Sequence, residues 1–247
     1  MHRANLMLHT GGYSAQYDEV LKVKTPESDG VWQPIGHDIL IKQIESGLAA
    51  ANLEIVNRAH SLAKDGQRYF GLYQIQSKAF DGRDYGLVMG LRNSHDKTFP
   101  AGITVGSQVF VCDNLAFSGE IVLGRRHTTN IMRDLPGKVT EAIGALSGMW
   151  NAQDERFEEY KRKDLSHTEA HDIMVKAVIA RVAPVTIIPD VIREWHTPSH
   201  SEFSNQNVWR LYNAFTEALK GNLNALPVRT RSLHGLLDNE CGLLARN

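Results

Sequence analysis

Between Asn52 and Glu54 the apolar pattern of this 247-residue chain changes period, and the switch restricts the folds open to it. Before it, Leu40, Ile41, Ile44, Leu48 and Ala51 form one stripe at helical spacing, which predicts a helix from a cap at Asp38 to about Asn52. After it, Glu54 to Ala63 and Arg68 to Ser77 are β-rich and joined by Lys64-Asp65-Gly66-Gln67, a hairpin signal. Tyr85 to Arg92 and Ile103 to Val111 form a second pair around a polar loop, and Glu120 to His127 adds another strand. One helix followed by about five antiparallel strands is an α+β arrangement.

The period returns to helical after Asn130. Val139, Ile143, Leu146 and Trp150 make one stripe, and the charged run from Asp154 to Asp164 reads as its solvated continuation. Ser166-His167-Thr168-Glu169 has capping-box spacing, opening a helix whose apolar side carries His171, Met174, Val178 and Val182 until Pro184 stops it. Residues 184 to 205 read as a loop. Val208, Leu211, Tyr212, Phe215 and Leu219 form a third stripe that ends before Gly221. The chain therefore divides into an arm at 1–33 with a short strand around Val20 to Lys24, a sheet core at 34–130, a helical region at 131–221 and a tail of weak order at 222–247.

Charge and cysteine content narrow the function classes. With 27 Lys and Arg against 28 Asp and Glu, the net charge of -1 excludes a uniformly basic coat, so contact with nucleic acid would need local patches. No apolar run approaches the roughly 18 residues a membrane span requires. The start, Met1 to His9, lacks the apolar region and cleavage site of a secretion signal, and a cytoplasmic protein is expected. Cys112 and Cys241 have no zinc-ligand spacing, and Cys112 among apolar neighbours reads as a buried thiol. Phosphate-binding glycine loops, dinucleotide fingerprints and hydrolase elbows are also missing, so neither cofactor nor metal is expected.

Two polar clusters remain. The loop Asn93-Ser94-His95-Asp96-Lys97 ends an apolar strand; His95 with Asp96 is the candidate acid-base pair, although Asn, Ser and Asp are also ordinary turn formers. Arg125-Arg126-His127-Thr128-Thr129-Asn130 ends the last strand with donors suited to phosphate, or with charges that guard a sheet edge. Because each antiparallel reversal returns the chain to one end, both clusters are expected to lie close together there. His167 and His171, one turn apart, share a helix face that a metal could use, but they read better as structural histidines.

Leu91-Arg92-Asn93-Ser94-His95-Asp96, followed some 15 residues later by Val109-Phe110-Val111-Cys112-Asp113-Asn114, resembles the phage- and plasmid-borne family described as domain of unknown function 932. His127 with Asn130, Val208-Trp209-x-x-Tyr212 with Leu219-Lys220-Gly221, and Arg229-Thr230-Arg231 extend the resemblance from about Ile35 to the end. The chain departs from the family at Lys97-Thr98, where Gly-Ser is common. The resemblance implies a shared fold and a mobile-element origin, with no established activity.

Two functions are compatible with these residues. The first is single-stranded DNA binding or annealing by a self-associating protein, in the broad architecture of the Rad52-type annealing proteins. Phosphate would meet Arg92, Asn93, Lys97, Arg125, Arg126, His127, Arg229 and Arg231, and bases would stack on Tyr69, Tyr73 or Phe99. The second is an anti-defence or regulatory protein that binds or processes a nucleotide-like small molecule. No complete catalytic constellation supports an enzyme.

Overall fold

A computed structural model describes residues 12–76, 85–109, 115–219 and 226–243. Cys112 and its neighbours at 110–114 lie outside the described residues. The sheet has six antiparallel strands in plain sequence order: β1 (Tyr13–Ala15), β2 (Glu54–Ala63), β3 (Arg68–Gln76), β4 (Tyr85–Ser94), β5 (Ala101–Val109) and β6 (Leu115–Arg125). The extra strand comes from the supposed arm. Tyr13 pairs with Leu62 and Ala15 with His60, which adds one short strand to the expected sheet of about five.

Val20 to Lys24 is not a strand, because Tyr17–Leu21 forms helix α1, capped reciprocally by Gln16 and Glu19. Helix α2 spans His37–Ala50 with Gly36 as its cap, two residues before the expected cap at Asp38, and buries Leu40, Ile41, Ile44 and Leu48. Helix α3 runs for 32 residues, Ile131–Arg162, so the charged run does continue it. The two helices approach closely at Gly47, where an added Cβ would come within 2.5 Å of Ile143 Cδ1.

Strand parity explains which face the helices cover. Tyr69, Tyr73 and Ile75 of β3 stand in register with Asn93, Met89 and Leu87 of β4, and all of them are buried. This overturns the expectation that Tyr69 and Tyr73 stack on bases. Tyr69 shares a hydrogen bond with His60 at 3.0 Å, and Tyr73 donates to Glu45 at 3.2 Å. Leu72 and Val88, of opposite parity, are buried too, so these middle strands are covered on both faces.

Beyond α3 lie α4 (His167–Ile179), α5 (Ile188–His196), α6 (Val208–Ala218) and α7 (Leu226–Glu240). Ser166 and Glu169 make the expected capping box. Residues 184–205 are not one loop, since α5 starts with Pro189 in its first turn and buries Val191 and Trp195. The tail at 222–247 likewise carries α7, whose Leu233 and Leu237 are buried in the core. Its irregular apolar spacing hid it from a periodicity search. His171 is exposed, against the expected stripe, because Ala170, Ile173, Met174 and Ala177 face inward.

Candidate functional site

Both polar clusters sit at one end of the sheet. β4 ends at Ser94, β5 begins at Ala101, and Ala101 pairs with Arg125, the last residue of β6. The β2 to β3 turn closes at the same end, with Ala63 opposite Arg68. Gly66 in that turn has φ +83°, a conformation that glycine adopts freely, and its carbonyl accepts a 2.9 Å hydrogen bond from His37 Nε2.

The motif side chains converge on the backbone of Ile35. Ile35 lies between Pro34 and Gly36, outside any strand or helix, and is fully buried, so its N–H and C=O need side-chain partners. Asn93 continues the buried row Leu87, Met89, Leu91, which carries its amide inward. Asn93 Nδ2 donates to the Ile35 carbonyl at 3.0 Å and to His37 Nδ1 at 2.9 Å. His95 Nε2 donates to the same carbonyl at 2.9 Å, and the Ile35 N–H donates to His127 Nδ1 at 3.1 Å. One short segment is thereby fastened from the β2 to β3 turn across to the chain just past β6.

These bonds fix the protonation states. His37 uses Nε2–H as donor and needs a bare Nδ1 to accept from Asn93, while His127 needs a bare Nδ1 to accept from Ile35. The rings of His37 and His95 stack at 4.0 Å and 2°, so a charge on either opposes a charge on the other. Burial first, and then neighbouring His95, lower His37 and His127 to about 4; burial also lowers His95. Unfolded histidine titrates near 6.5, so between roughly pH 6.5 and 4 the unfolded chain holds protons that His37 and His127 refuse, and His95 shifts in the same direction. Their stabilisation is complete above about 6.5 and drains away as the pH falls towards 4. Calorimetry should record a thermal midpoint that drops between pH 7 and 5; a flat or rising midpoint would contradict neutral rings.

The other sequence candidates divide clearly. Asp96 accepts from Arg68 at 2.6 Å and from the Thr98 N–H, as a turn former does. Lys97 pairs with Asp29 at 2.6 Å and lies over the Trp32 ring at 4.8 Å. Arg125 pairs with Asp134 of α3 at 2.5 Å. Arg229 is half-buried and lines a groove with Val178, Arg181 and Pro184, apart from the Ile35 cluster, and Arg231 is exposed on α7. Unlike Lys97 and Arg125, neither Arg92 nor Arg126 meets a carboxylate among the described residues, and both lie at the sheet end, away from Arg229. Arg92 is half-buried, its guanidinium 5.4 Å from the centre of the Phe99 ring, and burial lowers its pKa. By register Arg92, Gly102 and Gly124 lie side by side on one face, and the exposed Arg126 directly follows β6 at the same end of the sheet.

Sequence reasoning missed Ile35 and His37. A backbone carbonyl leaves no residue-type signal, but the polar Asn93 closing an apolar alternating row did mark an inward amide. His95 also lines a groove of about 330 Å³ with Glu19, Lys22, Lys24 and Asp65. Among the described residues no group of three or more His, Cys, Asp or Glu side chains is arranged to hold a metal, and no helix is long and apolar enough to cross a membrane.

No curated protein and no solved structure matches this chain. The model of the family DUF932, a domain of unknown function, matches residues 33–237, a span that opens just before Ile35 and takes in every group fastened to it. The chain belongs to the DUF932 family.

Proposed function

We propose that the chain binds single-stranded nucleic acid at the sheet end, through Arg92 and Arg126 rather than through the histidines. The observation that supports this reading is the half-buried Arg92 guanidinium, which has no carboxylate partner among the described residues and lies against Phe99. A partly desolvated cation without a counter-ion favours an anion from solution, and Phe99, packed on Phe70 at 5.3 Å, adds a surface for a base. Phosphodiester chains supply both groups. His95, Asn93 and His127 hold the scaffold in this reading, and Arg125 braces α3.

Fluorescence anisotropy with a labelled oligo-dT, at several salt concentrations, tests it. Replacing both Arg92 and Arg126 by alanine should weaken binding and flatten the slope of log K against log salt by about 1.4, since each single-strand phosphate contact accounts for roughly 0.7. Arg125→Ala should lower stability and leave that slope unchanged. An unaltered slope in the double variant, with the fold intact by circular dichroism, would move the reading to a small-molecule ligand in the groove beside His95. Annealing would further require self-association, so light scattering should find assemblies of several chains.

A further inference from the structure

A second histidine group lies in the helical half, independent of the sheet end. His171 of α4 places its Nε2 3.0 Å from Nε2 of His196, the last residue of α5, and both side chains are exposed. Such a contact holds one proton between two lone pairs, and a metal ion can take that proton's place. Two nitrogens each bound at about 2.0 to 2.1 Å lie roughly 2.9 Å apart when their bonds to the metal are at right angles and roughly 3.3 Å apart in a tetrahedron. The observed separation falls at the lower end of that interval.

The surroundings hold His196 in place. His167, one turn before His171, accepts a 3.0 Å hydrogen bond from Trp195 Nε1 at its Nδ1, and its ring lies 4.8 Å from that of His196 at 33°. Trp195 is fully buried, so the end of α5 is anchored beside α4 before any ligand arrives. Preorganised ligands reduce the ordering cost of binding.

We propose that His171 and His196 form a two-histidine site for a borderline divalent transition metal ion such as Cu²⁺, Ni²⁺ or Zn²⁺, which would cross-link α4 to α5. Imidazole nitrogen selects these ions over Mg²⁺ and Ca²⁺, which prefer oxygen. Since no third protein ligand converges here among the described residues, water completes the coordination, and affinity falls below that of a closed four-ligand zinc site. On binding, the ring that donates in this contact moves its proton from Nε2 to Nδ1 by exchange with water, so that both Nε2 lone pairs are free for the metal and both imidazoles stay neutral.

The test is a calorimetric titration of the full chain, free of any polyhistidine tag, with Cu²⁺. A saturable one-ion step is expected, weakened at least about tenfold by His171→Ala and by His196→Ala, and unaffected by His200→Ala. Because His171 and His196 are exposed, circular dichroism should show both variants folded. Ni²⁺ should also raise the thermal midpoint of the unaltered chain and not that of His196→Ala. Absence of a saturable step, or one that survives replacement of both histidines, would overturn the proposal.

Discussion

Replacing Phe215 by alanine is expected to lower the unfolding free energy by about 3 to 5 kcal/mol. Phe215 is fully buried, as are Val208, Leu211 and Tyr212 on the same helix, so α6 is enclosed on most sides. Phe215 belongs to the closely packed core, whose interior resists collapse around a phenyl-sized void. The cost therefore combines lost transfer energy with a persisting cavity. Urea unfolding measures it, and a change below about 1 kcal/mol would mean that the helix does not sit where the structure puts it.

Asn93→Ala is the second large effect, expected to cost about 2 to 3 kcal/mol. The substitution leaves His37 Nδ1 buried without a donor, and leaves the Ile35 carbonyl with His95 alone. A small gain offsets part of the loss, because Asn93 Oδ1 has no partner now and would be removed. Asn93→Asp should be at least as damaging. A carboxylate offers acceptors where two acceptors, the Ile35 carbonyl and the His37 nitrogen, already wait for donors. Equal stability of either variant with the unaltered chain, by urea unfolding, would show that the Ile35 segment is not held through this amide.

The sheet and its sidedness were legible because alternation survives in β3 and β4: Tyr69, Tyr73, Met89 and Leu91 form one buried row, and each hairpin returns the chain to one end. From that rule alone follows the meeting of the 93–97 loop with the 125–130 segment. Helix α6 was legible through its apolar stripe. What escaped notice had no periodic signature. β1 is three residues long and is made by pairing with β2 rather than by its own pattern. α5 is short and begins among prolines, and α7 is mixed in character along its length. At the site, residue types announced polarity but not its target, because the target of Asn93, His95 and His127 is the main chain of Ile35, about 60 to 90 residues away. Charge counting had the same limit. Arg125 and Arg126 look alike in sequence, and only the position of Asp134 separates a brace from a cation that meets no carboxylate among the described residues.

His37, His95 and His127 are hydrogen-bonded supports of one backbone segment in their neutral form, and in the proposed function Arg92 and Arg126 are left to meet the ligand. Nitrogen-detected NMR of the imidazole rings across pH 7 to 5 tests that neutral form most directly. His37 and His95 should carry their proton on Nε2, Nδ1 of His37 and of His127 should stay bare, and none of the three should take up a second proton near pH 6.5. A titration of any of these rings close to 6.5, as in an unfolded chain, would contradict it.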